Sequence, residues 1–242
     1  MRWFLSPWSG NFFMIEQRNS TINNKKESNL LIYIFHVWTF VLIARPQDFV
    51  QALTPVRPAL TVGIIVVIFY VFYHALYKHR LLDNQQCRLY LYLLAMMIIS
   101  IPFAYYPRGA FEFIFTKHMV VVVFFYMFYK LIDNTTKLNN ILWIACFATC
   151  LYLLIALYKG NMEFGRLQYG DMFDPNDLAF LAVSLLPFNI LFISKYDPWW
   201  KRLTCLINIL TSILIILMTE SRGGFIVLVI VTVMLLFAKT YI

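Results

Sequence analysis

Charged residues are scarce in this chain. Of its 242 residues, 13% are charged, 61% are hydrophobic and 18% are aromatic. A soluble domain cannot bury that much apolar side chain, so the composition excludes a soluble globular protein and indicates that the surrounding solvent is lipid. In a soluble protein the formal net charge of +8 would suggest nucleic-acid binding. Here it predicts membrane orientation instead, and we expect no nucleic-acid partner.

Cysteines are also few, and their spacing has no typical metal-site or disulfide pattern. Cys87 and Cys205 fall at the ends of apolar runs, and Cys146 and Cys150 are one helical turn apart. We therefore expect buried thiols, no disulfide, no metal site and no other cofactor.

The first 29 residues lack both a membrane span and a signal sequence. Their apolar stretches, residues 3–5 and 12–15, are too short for the core of a signal peptide, and residues 19–29 have the composition of a disordered segment. We expect residues 1–29 to be disordered, or to include residues that precede a true start at Met14 rather than Met1. We expect residues 30–242 to form one transmembrane domain.

Apolar runs dominate the remainder and predict an all-α, polytopic bundle of about eight transmembrane helices. The predicted spans are residues 30–44, 59–77, 89–106, 118–132, 138–158, 177–194, 203–218 and 225–241. Several are shorter than the roughly 20 residues of an upright span, and we expect the runs 30–44 and 118–132 to be either kinked or extended into their flanks.

Basic residues are distributed unevenly between the two sides of this bundle. With a cytoplasmic N-terminus, 13 of the 20 lysines and arginines lie inside and 7 lie outside. Because positive charge favours the cytoplasmic side, we expect both termini to be cytoplasmic. Every unusual polar loop then lies on the outer side.

The first outer loop contains two arginines that each precede a proline, Arg45 in R-P-Q-D and Arg57 in R-P-A-L. Proline disfavours helical backbone in the residue before it, so we expect both arginines on extended backbone, where forked hydrogen bonds to phosphate are possible. A plain proline-rich hairpin would instead place these side chains among lipid headgroups. The second outer loop, 105–109, is typical of an aromatic belt ending in a turn. We expect His118 beside it to be a packed or interfacial residue.

The third outer loop, residues 159–177, is the longest and ends in D-P-N-D. Asp174 is a natural N-cap, Pro175 a natural first helical residue, and Asp177 occupies the capping-box position. Capping does not explain Asn176. Because the two carboxylates would repel phosphate, this helix start suits sugar hydroxyls, or the orientation of a neighbouring arginine, better than phosphate itself. The same loop contains Arg166.

The fourth outer loop is residues 219–224, T-E-S-R-G-G, between the last two apolar runs. Ser221 can cap the following helix, Gly223 and Gly224 permit close helix approach, and Glu220 can pair with Arg222. The functional interpretation is that Arg222 holds a lipid-linked phosphate at the outer membrane face.

The ordered set R-P-Q-D, R-P-A-L, D-P-N-D-L-A and T-E-S-R-G-G resembles the bacterial O-antigen ligase and polymerase superfamily, and is most similar to its branch of exosortase-associated O-glycosylation ligases. The resemblance extends from about Phe35 to the end of the sequence. It implies a helical glycosyltransferase of the bacterial inner membrane that needs no metal. Such an enzyme transfers a glycan from undecaprenyl diphosphate to a lipid, glycan or protein acceptor at the periplasmic face.

The resemblance also implies roles for individual residues. Arg222 becomes the leading candidate for a contact with the carrier phosphate, followed by Arg166 and Arg45. The remaining candidate substrate-binding residues are those that complete the two later motifs: Asp174, Asn176, Asp177, Ser221, Gly223 and Gly224.

Family members continue into a large periplasmic loop that carries an arginine and the histidine that activates the acceptor hydroxyl. The present sequence ends at Ile242, and its four histidines match no such loop. We therefore expect the base to lie beyond Ile242, and the chain to be the N-terminal portion of a ligase that does not turn over by itself. A repeat-unit polymerase is the alternative within the superfamily. A polysaccharide transporter or flippase, or a non-catalytic membrane subunit, is the alternative from another class.

Overall fold

The computed structural model of this chain describes residues 28–73, 84–163, 165–170, 174–194 and 198–239. Within these ranges the fold is all-α, as predicted, with nine helices of nine residues or more and one two-stranded hairpin. Residues 1–27, to which most of the N-terminal prediction applies, lie outside the described residues.

The elements follow one another in a simple order. The helices are α1 (Ser28–Ala44), α2 (Pro46–Phe49), α3 (Pro58–Tyr73), α4 (Gln85–Ser100), α5 (Pro107–Glu112), α6 (Met119–Leu131), α7 (Thr135–Lys159), α8 (Pro175–Ser184), α9 (Leu186–Ser194), α10 (Trp199–Met218) and α11 (Arg222–Lys239). Strands β1 (Asn161–Glu163) and β2 (Arg166–Gln168) form an antiparallel pair between α7 and α8.

Five helical units are long and apolar enough to cross a membrane, so the chain is a multi-pass membrane protein. They are Gln85–Phe103, Pro107–Leu131, Thr135–Lys159, Pro175–Ile193 and Trp199–Met218. Three shorter apolar helices accompany them, Leu30–Ala44, Pro58–Phe72 and Arg222–Met234.

The fourth predicted span begins much earlier than expected. Residues 107–117, placed in a loop by sequence, are helical, because Pro107 occupies the first turn of α5 and a π-helical stretch, Phe113–His118, joins α5 to α6. Proline is preorganised for a helix start, so Pro107 begins this helix rather than ending a turn.

Side-chain caps set several other helix boundaries. Asn134 accepts a hydrogen bond from the backbone of Lys137 at the start of α7, and Asp174 accepts one from Asp177 at the start of α8. Each cap satisfies a donor that the helix leaves unpaired in its first turn. The predicted Asp174 cap and Pro175 first residue are confirmed.

Burial is concentrated around α7. One cluster packs α7 against β2, α8 and α10, and a second packs α1 against α3 and α6. Half of the residues in an 18-residue apolar stretch of Thr135–Lys159 are buried, compared with 6% in the corresponding stretch of Gln85–Phe103. All four cysteines are buried free thiols, and the prediction of buried thiols is confirmed.

Candidate functional site

Three of the four unusual loops meet at one end of the bundle, where α1, α7 and α10 finish and α3, α8 and α11 begin. We call this the motif end. Hydrogen bonds between residues distant in the sequence join the R-P-Q-D segment to α7 and to Tyr169 after β2. Others join the β-hairpin and the start of α8 to the T-E-S-R-G-G turn. The loop 105–109 takes no part in these contacts.

Arg166 links the hairpin to two other elements. It lies on β2, opposite Glu163 in the strand register. Its Nε donates to the backbone oxygen of Thr219 at 2.8 Å, and its Nη2 donates to Oδ1 of Asn176 at 2.8 Å. The Thr219 carbonyl lies at the C-terminus of α10, where helical carbonyls lack intrahelical partners and a cation is favourable. The guanidinium therefore completes the end of α10.

Asn176 and Ser221 continue this chain of hydrogen bonds. The Asn176 Oδ1 atom also accepts from the Ser221 hydroxyl at 3.1 Å, and the Ser221 Oγ in turn accepts from the backbone N–H of Gly224 at 3.1 Å. Ser221 is thus the N-cap of α11, as predicted. Asn176 thus contacts an arginine, which is one of the two roles that the sequence left open for the D-P-N-D helix start.

The two glycines of the last motif differ. A Cβ added at Gly224 would lie 2.7 Å from the Cβ of Ala179, so only glycine permits α11 to pack this closely on α8. A Cβ at Gly223 would have no atom within 4 Å. The prediction of close helix approach is confirmed for Gly224 and is wrong for Gly223, whose side-chain position faces open space.

Asp48 connects the R-P-Q-D segment to the hairpin. Its carboxylate lies 2.9 Å from Arg45 Nε, and the two side chains are only 4% and 12% exposed respectively. The Tyr152 hydroxyl donates to Asp48 Oδ2 at 3.2 Å, and the Tyr169 hydroxyl donates to the Asp48 backbone oxygen at 3.3 Å. Burial and the nearby Asp48 carboxylate raise the pKa of Tyr169. Arg45 is therefore engaged inside the protein and does not lie among headgroups.

The backbone of both arginines before proline contradicts the sequence prediction. Arg45 and Arg57 have φ of 46° and 48°, in the left-handed region rather than the extended one. Proline disfavours the right-handed helical conformation in the preceding residue, and a residue with left-handed backbone is a common way to end a helix. Arg45 directly follows α1, so the chain reverses there. Glu220, which follows α10, has the same conformation with φ of 48°.

Arg222 is placed differently from the other two candidate arginines. It is exposed, and within the described ranges its guanidinium has no hydrogen-bond or ion-pair partner, so the pair with Glu220 is not formed. It borders an open groove of about 320 Å³. The groove is lined by Ile216, Leu217, Glu220, Ser221, Arg222, Phe225 and Ile226.

The remaining predicted residues are peripheral. Asp174 and Asp177 are exposed at the start of α8, and the carboxylate of Asp174 serves as the cap. His118, predicted to be packed or interfacial, is half-buried, with its Nε2 atom 3.5 Å from the Tyr90 hydroxyl.

Sequence reasoning missed Tyr152 and Tyr169, which hold the R-P-Q-D segment against the hairpin. Tyr152 lies in an apolar helix, 104 positions from Asp48, and no local pattern distinguishes it from other core tyrosines.

The chain matches no protein-family model, and no curated protein or solved structure is detectably similar to it.

Proposed function

We propose that the motif end binds the diphosphate of a polyprenyl-linked glycan, and that the chain serves as the donor-binding portion of an O-antigen ligase-like glycosyltransferase of the bacterial inner membrane. The observation that carries this proposal is the convergence of three motif loops on one hydrogen-bonded cluster, with an exposed arginine at its edge. The four motifs that suggested this family from sequence would otherwise be unrelated loops.

Arg222 is the proposed phosphate contact. Its guanidinium is exposed, and a guanidinium matches phosphate oxygens with forked hydrogen bonds. It lies in the first turn of α11, where the helix dipole favours an anion. The apolar residues that line the same groove, such as Phe225 and Ile226, suit the first isoprene units of a carrier lipid.

Arg166 and Asn176 have a supporting role in this proposal. They fix the T-E-S-R-G-G turn on which Arg222 lies, since Arg166 bonds the Thr219 carbonyl and Asn176 bonds Ser221. Within the described ranges, all three non-glycine residues with left-handed backbone, Arg45, Arg57 and Glu220, are at this end. Strained backbone of this kind is concentrated at functional sites. Arg45 contributes through Asp48 rather than by touching phosphate.

The proposed topology has eight spans with both termini in the cytoplasm. In this proposal the five long apolar helices and the three shorter ones together make eight crossings, and the excess of lysine and arginine on the opposite side supports a motif end that faces the periplasm. The arginine would then neutralise a diphosphate leaving group while an acceptor hydroxyl attacks the anomeric carbon.

Binding of undecaprenyl diphosphate to the full chain in nanodiscs tests the proposal. Arg222→Ala removes the proposed contact, and Arg108→Ala is the matched control, because Arg108 is an exposed arginine in the first turn of α5. Loss of one charge-assisted contact, about 1.5–3 kcal/mol, predicts an affinity roughly 10- to 100-fold weaker for Arg222→Ala only. Equal affinities of the two variants would refute the role of Arg222.

Ligation and polymerisation share the same donor chemistry, so a cellular experiment must separate them. In a strain that lacks the gene, accumulation of long polymer on the carrier lipid supports ligation. Loss of polymer, with single repeat units remaining, supports the polymerase instead.

A further inference from the structure

Two buried hydroxyls lack the backbone partner that many other helical hydroxyls of this chain have. Thr39, Ser184 and Thr204 each donate to the backbone oxygen four residues earlier. This is the usual way for a hydroxyl to be satisfied inside a helix, especially in a membrane where no bulk water is available. Thr149 on α7 and Ser212 on α10 are fully buried, and their hydroxyls have no partner within the described part of the chain.

A third orphan atom lies between these two helices. Asn208, also fully buried, donates from Nδ2 to the backbone oxygen of Cys146 at 2.9 Å and to Oδ1 of Asn189 at 3.2 Å. Its own Oδ1 has no partner among the described residues. Asn189 in turn donates to the Leu185 carbonyl, where α8 gives way to α9.

The three orphan atoms belong to one region. Ser212 is four residues after Asn208, so the two side chains are neighbours on α10, about 5–6 Å apart at Cβ. The Asn208 carbonyl accepts from the Thr211 hydroxyl at 3.0 Å, and the Ser212 hydroxyl does not bond to it. Thr149 is three residues after Cys146, whose carbonyl holds Asn208, and therefore lies on a neighbouring part of the same α7 surface.

We propose that Asn208, Ser212 and Thr149 form a binding site for a buried water molecule between α7 and α10. Water both donates and accepts, as the set requires, since the Asn208 oxygen only accepts and the two hydroxyls do either. Side chains whose Cβ atoms are about 5–6 Å apart are close enough for one water molecule to bridge their polar atoms with two hydrogen bonds of ordinary length. Each group left unsatisfied would cost about 1–3 kcal/mol, so a shared partner stabilises the site substantially.

The chemistry of the site favours water over a cation. All three groups are neutral, and no cluster of three or more His, Cys, Asp or Glu able to hold a metal ion occurs in the described residues. Asn208 is near the middle of α10, which spans Trp199–Met218, so the water would lie deep in the bundle.

The sign of a stability change tests this site. In the full chain in detergent, Thr149→Val and Ser212→Ala each remove one hydroxyl. If water is bound, each variant unfolds at a lower temperature, and the double variant loses less than the sum. If no water is bound there, each variant removes an unsatisfied buried polar group and the unfolding temperature rises. That result overturns the proposal. Thr39→Val, whose hydroxyl has a helical partner, is the control and should lower the unfolding temperature without coupling to either variant.

Two further measurements complete the test. Unfolding temperatures in sodium chloride and in choline chloride at equal ionic strength should agree. A higher unfolding temperature in sodium chloride alone would show that the site binds a cation, and would overturn the proposal of a water site. An experimental map that shows ordered waters should contain a peak within hydrogen-bond distance of the Asn208 Oδ1 and Ser212 Oγ atoms. Side chains packed into that position would overturn the proposal even if a variant fails to fold.

Discussion

The motif end and the helical segment 85–131, which contains α4, α5 and α6, have similar sequence features but different structures. Both contain arginine next to proline, aromatic residues and a helix that starts at proline. At the motif end, polar groups up to 121 positions apart are joined by hydrogen bonds. In the segment 85–131, the hydroxyls of Ser100 and Thr116 bond to carbonyls three and four residues earlier in their own helices. Only 6% and 17% of the 18-residue apolar stretches of its two spans are buried.

This difference shows that the motif residues act through tertiary packing. The chain around α7 is packed tightly enough to bring three loops together, and their polar side chains then satisfy one another. Among the described residues, the segment 85–131 has one hydrogen bond between side chains on different helices, that of Tyr90 with His118, and its Arg108 and Glu112 are exposed. A proline–arginine pair is therefore informative only where the surrounding helices pack.

Removing the buried carboxylate should separate the two regions most strongly. Asp48→Asn takes the carboxylate partner from Arg45, and breaking a buried ion pair costs about 3–5 kcal/mol. Glu112→Gln is the same chemical change at an exposed residue of the segment 85–131, and its free energy of unfolding should stay within about 0.5 kcal/mol of that of the parent. Thermal unfolding in detergent measures both, and equal losses of stability would mean that the motif end is no better packed than the segment 85–131.

The two adjacent glycines provide a second, smaller contrast. Gly224→Ala forces a methyl group against Ala179 and should destabilise the chain by about 1–3 kcal/mol. Gly223→Ala meets no atom within 4 Å and should be neutral, or stabilising by up to about 1 kcal/mol, since alanine favours a helix. Unfolding temperatures that fall equally for both variants would show that α8 and α11 are not in the described contact.

Asn176 sharpens the comparison within a single helix turn. Asn176→Ala removes the acceptor for both Arg166 and Ser221 and should cost about 1–3 kcal/mol. Asp177→Ala, one residue later, removes an exposed side chain that has no partner within the described residues, and should cost less than about 0.5 kcal/mol. The two unfolding midpoints measure the difference, and an inverted order would remove Asn176 from the cluster.

The sequence predicted the features that depend on residues close together in the chain, namely the helices and their caps. Apolar runs marked every long helix, and the caps at Asp174 and Ser221 followed from residue type and position alone. A single sequence does not contain the information for the rest. The start of the fourth span depended on whether Pro107 ends a turn or begins a helix, and the left-handed backbone of Arg45 depends on where α1 stops. The contacts of Asp48 with Tyr152 and Tyr169 require the packed helices themselves.

The most direct test of the central claim is a disulfide between two of the loops that meet at the motif end. The Asn176 Oδ1 and Ser221 Oγ atoms are 3.1 Å apart across 45 positions of sequence. The Asn176→Cys/Ser221→Cys variant, oxidised in native membranes and digested, should give a disulfide-linked pair of peptides detected by mass spectrometry. The control Arg108→Cys/Ser221→Cys should give none. An absent link in the first variant, or equal linking in both, would contradict the account.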